Sequence, residues 1–222
     1  MRPGRGLRIA GGALLALGVM LMVGGWALRS AYPGHSVPSE SMRPTYETGD
    51  MIFAESVEPS EVRRGDVVLV SVPEWGVDEG LAVKRVIGVG GDRVRADGRQ
   101  VFVNDKPLSE PYVLGGDPVG GYPFEQIEVP EGRLFLLGDN RGNSLDSRFH
   151  QEIDGGTVPV TAVRERAIDS PVGAVGAVIG FFGGAVVLLV GFGLGLGGWL
   201  TGRRAARRTG PPVPPPYVHT QA

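Results

Sequence analysis

The sequence predicts a mostly β domain placed between two membrane-spanning helices. Two long uncharged apolar runs, Ile9 to Leu28 and Val172 to Leu200, lie near the two ends of the 222-residue chain. Between them, short runs rich in β-branched residues alternate with Gly, Pro and Asp, a pattern typical of short strands joined by turns. The chain contains no cysteine, which excludes disulfides, Cys-based zinc sites and thiol nucleophiles.

The first apolar run follows a basic segment, residues 1–8, and predicts a transmembrane helix over residues 9–28. Its 20 residues would span about 30 Å as a helix, which is the thickness of a bilayer core. The alternative is a cleaved signal peptide, for which Gly25-Trp26-Ala27 offers a cleavage site. Because the apolar core of a signal peptide is usually only about 7–15 residues long, we expect a retained anchor.

The second apolar run, residues 172–200, has 29 uncharged residues and predicts a tilted or partly extramembrane helix. A basic, Pro-rich tail, residues 201–222, follows, and its run from Pro211 to Pro216 is expected to be disordered and prone to the polyproline II conformation. Arginines precede the first span and follow the second, so the positive-inside rule puts both termini in the cytoplasm. Residues 29–170 would then form the domain outside a bacterial cytoplasmic membrane, in contact with its lipid.

The stretch from Glu40 to Asp169 contains all 24 acidic residues and 14 basic ones, a net charge of −10. This charge excludes a nucleic-acid-binding domain, because phosphate contacts need clustered positive charge. No amphipathic helix is predicted, and residues 109–125 are predicted to be a loop. The predicted strands are Met51 to Ala54, Asp66 to Val72, Leu81 to Val89, Gln100 to Val103, Lys106 to Leu108 and Arg133 to Leu137.

Ser41 and Lys84 are the candidate catalytic residues. Ser41 lies between Pro38 and Pro44, just beyond the first span, and a serine becomes a nucleophile when a base takes its proton. Lys84 is one of only two lysines, against 20 arginines, and unlike Arg it can lose its proton when buried. In a strand it shares a face with apolar neighbours, as a lowered pKa requires. A surface serine and a solvent-exposed lysine remain the alternative at this point.

Histidine is the other type of base that the sequence offers. His35 is close to Ser41 along the chain, and His150 follows a charged loop. His219 belongs to the tail on the opposite side of the membrane. A Ser-His-Asp triad through His35 or His150 therefore stays open.

Three blocks together resemble the type I signal peptidases, a family of membrane-bound Ser/Lys endopeptidases. The residues Ser39 to Thr45 (SESMRPT) are similar to the nucleophile box of that family, and Lys84 to Asp92 (KRVIGVGGD) are similar to its lysine box. Gly138 to Arg148 (GDNRGNSLDSR) is similar to its GDNR-x-NS-x-DSR box. The resemblance covers about half of the chain.

The resemblance implies a mostly β catalytic domain and a role for each matched residue. Ser41 would be the nucleophile and Lys84 the general base, without a metal or cofactor. The Ser39 hydroxyl and the Ser41 N–H would form the oxyanion hole, and Ser144 would orient the Lys84 amine. The residues that would form structural ion pairs are Arg85, Asp139, Asp146 and Arg148.

The sequence departs from the family pattern at Gly90, where a Pro is usual, and at Gly142, where an Asp is usual. A C-terminal span is a further variation. The substrates implied are the signal peptides of exported preproteins, with small residues at the first and third positions before the cut. The alternatives are a Ser/Lys processing peptidase with a narrow substrate range and a membrane-tethered β domain that binds a partner without catalysis. A sensor or transport subunit would need polar residues within the spans, which carry no charge.

Overall fold

The computed structural model describes residues 4–76, 80–168 and 172–208. The chain divides into two compact units, of which one consists of Met1–Arg29 and Val175–Ala222 and the other of Ser30–Ala174. The Pro-rich part of the predicted tail, from Pro211 onward, lies outside the described residues, as does His219.

The first unit consists of two long helices, which contain the two apolar runs. Helix α1 is Arg5–Ala31 and helix α2 is Val172–Arg208. Each extends beyond its apolar run because the flanking arginines continue the helix. Both are long and apolar enough, by length and composition, to cross a membrane.

Glycines spaced by seven residues bring α1 and α2 into close antiparallel contact. A Cβ added at Gly11 or Gly18 would lie 2.7 or 2.8 Å from a backbone oxygen of α2, that of Gly191 or Gly184 respectively. Gly25 approaches the Ala177 carbonyl oxygen in the same way, at 2.7 Å. Seven residues are close to two helical turns, so these glycines share one face, and any side chain there would push the helices apart.

The second unit is built from antiparallel strands. They are β1 Gly34–Ser36, β2 Met51–Ser56, β3 Val67–Val70, β4 Ala82–Val89, β5 Arg93–Ala96, β6 Val101–Val103, β7 Lys106–Pro107, β8 Phe124–Glu128, β9 Arg133–Leu137, β10 Val158–Pro159 and β11 Val163–Ala167. A seven-stranded sheet has the order β1-β2-β11-β3-β4-β9-β10, and a four-stranded sheet has the order β7-β6-β5-β8. The helices among the described residues of this unit, apart from the ends of α1 and α2, are short 3-10 turns.

The mostly β prediction is confirmed, and a strand occurs in each of the six predicted stretches. The loop predicted over residues 109–125 is wrong at its end, because β8 starts at Phe124. Strand β11 was not predicted, because Val163–Ala167 carries three charges in five residues. It nevertheless lies between β2 and β3, where Arg166 is paired with Glu55 at 2.6 Å.

Three apolar clusters form the core, and strand β4 contributes to all of them. Ala82 and Val86 pack with the first cluster, Ile87 belongs to the second, and Val83 to the third. The alternation expected for a strand therefore holds on both sides of Lys84. Lys84 lies between these apolar residues and is itself only 5% exposed.

Candidate active site

Ser41 and Lys84 are in direct contact. Ser41 lies in the 3-10 turn Glu40–Met42, which is anchored by Met42 at 0% exposure in the third cluster. Lys84 lies in the middle of β4. Its Nζ is 3.0 Å from Ser41 Oγ, and the two residues are 5% and 7% exposed. A buried amine at this distance can take the proton of the serine hydroxyl.

The surroundings of Lys84 favour its neutral form. Burial removes water from the ammonium group and so lowers the pKa of Lys84 below its ordinary value. The negative charges of Asp146 and Asp139 oppose this shift, while Arg148 adds to it. The other hydrogen bond of Nζ, at 3.1 Å, goes to the Val83 carbonyl oxygen. Among the described residues, no carboxylate forms an ion pair with this amine.

The two predicted oxyanion donors lie next to each other at the nucleophile. Ser39 Oγ is 3.1 Å from Ser41 Oγ, and the Ser41 N–H donates to Ser39 Oγ at 3.5 Å. Ser39 is exposed, so its hydroxyl is accessible to a substrate. Because the hydrogen bond from the Ser41 N–H to Ser39 Oγ is long, the N–H can turn to a developing oxyanion at little cost in free energy.

Ser144 is close to the nucleophile but does not make the hydrogen bond to Lys84 that the resemblance implies. Ser144 is buried, and its Oγ has no hydrogen-bond partner among the described residues. A Cβ added at Gly138 would lie 2.3 Å from Ser144 Oγ and 2.5 Å from the Ser41 carbonyl oxygen. Ser144 therefore packs against the backbone of Gly138, beside Ser41, and its orienting role stays a prediction.

The first expected ion pair joins Arg85 to Asp139. The Arg85 guanidinium makes two bonds to the carboxylate, at 2.8 and 2.6 Å, and Asp139 is fully buried. Thr45 donates its hydroxyl proton to the same carboxylate. Because Thr45 belongs to the block that carries Ser41, this cluster ties the nucleophile segment to β4.

The second expected ion pair joins Asp146 to Arg148. Two bonds of 2.8 Å connect their side chains, and both residues are buried. Asp146 also accepts the Gly138 N–H at 3.1 Å. This pair thus holds the turn that follows β9, where Ser144 and Asn140 are located.

A third buried ion pair was not predicted. The side chains of Glu110 and Arg141 are each 1% exposed and contact each other directly. Arg141 also donates to the Pro118 carbonyl oxygen, so it fastens the loop around residues 110–118 to the third block. Arg141 was visible within that block, but no local pattern identifies Glu110 as its partner.

Neither candidate histidine contacts Ser41. His35 Nε2 is 2.6 Å from the Glu165 carboxylate, and His150 stacks on Trp75 with 4.8 Å between the ring centroids. The base within hydrogen-bond distance of the Ser41 hydroxyl is therefore Lys84. Across residues 4–76, 80–168 and 172–208, no three His, Asp or Glu side chains are grouped so that they could hold a metal ion.

The two departures from the family pattern have different surroundings. A Cβ at Gly90 would lie 2.9 Å from the Glu131 Cα, so the local packing here is fitted to a glycine. No atom lies within 4 Å of the corresponding position at Gly142, which faces open space. Neither residue contacts the Ser41–Lys84 pair.

Comparison with known proteins is consistent with this geometry. Residues 10–169 match the family described as signal peptidase, peptidase S26. The chain is 39% identical over 120 residues to a probable signal peptidase I-1 of Synechocystis sp. The aligned region covers 50% of this chain and 59% of that protein. The chain is 34% identical over 143 residues to thylakoidal processing peptidase 1 of Arabidopsis thaliana, covering 60% of this chain and 40% of that protein.

A solved structure of a signal peptidase I from Enterococcus faecalis is also similar, with 27% identity and a TM-score of 0.39. The match covers 48% of this chain and 96% of that one. The chain spans roughly 60% or less of the two curated relatives above. The family match extends over more than two thirds of the 222 residues, from the first helix to the end of the β unit. The chain therefore belongs to the signal peptidase family, peptidase S26.

Proposed function

We propose that this chain is a type I signal peptidase, which removes signal peptides from exported preproteins by means of a Ser/Lys dyad. The observation that supports this most strongly is the 3.0 Å contact between Lys84 Nζ and Ser41 Oγ in a buried position. Membership of the signal peptidase family and the similarity to a probable signal peptidase I-1 support this substrate class.

The proposed reaction proceeds through an acyl-enzyme. Neutral Lys84 takes the proton from Ser41 Oγ, and Oγ attacks the scissile carbonyl carbon. The oxyanion then receives hydrogen bonds from the Ser41 N–H and the Ser39 hydroxyl. Protonated Lys84 gives its proton to the leaving amine, and the acyl group stays on Ser41. Lys84, now neutral again, takes a proton from water, and the water oxygen attacks the acyl carbon. The ester bond to Ser41 Oγ breaks, Oγ regains its proton from Lys84, and the product acid leaves.

A cavity of about 540 Å³ next to the dyad is the proposed binding site for the substrate residues before the cut. Its lining includes Pro38, Leu69 and Val83. Pro38 precedes Ser39, and Val83 precedes Lys84, so a chain lying in this cavity reaches the nucleophile within a few residues. The lining is mixed, because it also contains His35, Ser36 and Ser71. The small side chains at the first and third positions before the cut are what the family resemblance implies.

The proposed location is a bacterial cytoplasmic membrane, with the β unit outside and both termini in the cytoplasm. The arginines before the first span and after the second support this orientation through the positive-inside rule. Both helices have the length and composition that crossing a membrane requires. In this arrangement the substrate signal peptide spans the same bilayer.

In vitro cleavage of a generic preprotein by the full chain in detergent tests the proposal. Lys84→Ala and Ser41→Ala should abolish cleavage. Lys106→Ala is the matched control, because it removes the other lysine of the chain, which is exposed on β7. The proposed function would be refuted if Lys84→Ala or Ser41→Ala cleaved the preprotein at the wild-type rate. It would also be refuted if Lys106→Ala lost as much activity as Lys84→Ala.

A further inference from the structure

Asn140 contacts the nucleophile turn through two hydrogen bonds. Its backbone N–H donates to the Ser41 carbonyl oxygen at 3.0 Å. Its side-chain Nδ2 donates to the Glu40 carbonyl oxygen at 3.1 Å. Because a carbonyl oxygen only accepts, the amide nitrogen of Asn140 rather than its oxygen must face Glu40. One residue from the third block therefore holds the backbone on both sides of the Ser41 Cα.

The bond to Glu40 helps to set the direction of the Ser41 N–H, together with the Arg43 N–H, which donates to the same carbonyl oxygen at 3.2 Å. The carbonyl of Glu40 and the N–H of Ser41 belong to one planar trans peptide unit, in which they point in opposite directions. Fixing the carbonyl oxygen on the Asn140 side therefore turns the N–H to the other side, where it meets Ser39 Oγ at 3.5 Å. The bond from the Asn140 N–H fixes the next peptide unit in the same way.

Asn140 is itself held in place by its own turn. Its carbonyl oxygen accepts the Asn143 N–H at 2.9 Å. The buried Arg141 donates from Nε to the Gly138 carbonyl oxygen at 2.9 Å, which fixes the residues just before Asn140. The anchor is thus more rigid than a free surface amide.

We infer that Asn140 is a positioning residue that aims the Ser41 N–H at the oxyanion. It does not touch the reacting atoms and acts through the Glu40–Ser41 peptide unit. A hydrogen bond to the carbonyl of a peptide unit also strengthens the N–H of the same unit as a donor. This inference rests on the proposed hydrolase function, because an oxyanion forms only if Ser41 attacks a carbonyl.

The first test compares Asn140→Ala with wild type in preprotein cleavage by the full chain. Removing an oxyanion donor outright lowers kcat by roughly 10²–10³-fold. Because Asn140→Ala only frees the donor to turn, we expect kcat to fall about 10- to 100-fold with KM within about twofold. Asn143→Ala is the matched control: its Nδ2 is 3.4 Å from the Glu40 side-chain carboxylate, not the peptide oxygen, and its rate should equal that of wild type.

The second test separates positioning from a general loss of structure. Asn140→Asp keeps the shape and the backbone N–H but removes the donor to Glu40, so it should lose kcat as Asn140→Ala does. Binding of a peptide aldehyde, whose adduct places an oxygen in the oxyanion site, should weaken in parallel with kcat. Ser39→Ala should lower kcat by a smaller factor in the Asn140→Ala variant than in wild type, because both residues act on the same oxyanion.

The outcomes separate this inference from the function on which it rests. If wild type cleaves preprotein and Lys84→Ala does not, while both Asn140 variants match wild type, only the inference is wrong. A rise in KM without a fall in kcat, or unchanged aldehyde binding, would also overturn it. If wild type cleaves no preprotein, the proposed function fails and the inference falls with it.

Discussion

Replacing Glu110 with alanine would leave a buried arginine without its counter-ion. The Arg141 side chain is 1% exposed, and its charge is balanced by Glu110, whose side chain is equally buried. The remaining partners of the guanidinium are the carbonyl oxygens of Pro118 and Gly138, which carry no formal charge. The Glu110→Ala variant therefore has an uncompensated cation in the interior of the β unit.

The expected loss follows from this burial. Removing one partner of a buried ion pair costs about 3–5 kcal/mol in the free energy of unfolding. For a unit of this size, 1 kcal/mol corresponds to a change of roughly 3–4 °C in Tm, so the Tm of Glu110→Ala should fall by about 10–20 °C. The assay is thermal unfolding of the full chain in detergent, followed by tryptophan fluorescence.

An exposed ion pair provides the control for this experiment. Glu47 is paired with Arg43 at 2.8 Å, and their side chains are 55% and 37% exposed. Exposed pairs of this kind contribute roughly 0–1 kcal/mol, so Glu47→Ala should shift the Tm by only a few degrees. A Tm loss in Glu110→Ala that is no larger than in Glu47→Ala would refute the reasoning about the buried pair.

Two further predictions concern the helix pair and the stability of Lys84. Gly18→Leu should lower the disulfide yield between cysteines placed at Leu28 and Gly176 several-fold, because even a Cβ at position 18 would lie 2.8 Å from a backbone oxygen of α2. Gly12→Leu, where nothing lies within 4 Å, should leave the yield unchanged, and equal yields in the two variants would contradict the glycine contact. Lys84→Met should raise the Tm at pH 7, because burial lowers the pKa of Lys84 and so destabilises the fold below about pH 10.4. The gain should shrink as the pH rises toward that value, and a gain independent of pH would contradict the account.

Six of the strands and the candidate residues Ser41 and Lys84 followed from local patterns in the sequence, and the resemblance to the type I signal peptidases supplied the roles of the two residues. The apolar residues on both sides of Lys84 predicted a strand in which Lys84 is buried, and five of the eight residues of β4, Lys84 among them, are buried. The scarcity of lysine, with two lysines against 20 arginines, marks Lys84 as a candidate base from composition alone. The evidence for the strand lies within a few neighbouring residues, and the evidence for Lys84 lies in the composition of the chain. Neither depends on the tertiary structure.

Contacts between distant segments were not predictable in this way. The pairing of Glu110 with Arg141 depends on the path of a Gly- and Pro-rich loop, which local propensity does not determine. The sequence also does not show which carbonyl the Asn140 amide meets, because that depends on how two loops dock. The seven-residue spacing of glycines in α1 is visible in the sequence, but its partner face on α2 appears only in the structure.

The central claim, that Lys84 deprotonates Ser41, is tested most directly by the pH dependence of Ser41 acylation. The rate at which a serine-reactive acylating probe labels Ser41 can be followed by intact mass spectrometry of the full chain. Because the base must be neutral, labelling should rise with pH through a midpoint below the ordinary lysine pKa of about 10.4. It should be absent in Lys84→Ala and normal in Lys106→Ala. Labelling that persists in Lys84→Ala, or that follows a group titrating near the ordinary histidine value of about 6.5, would contradict the account.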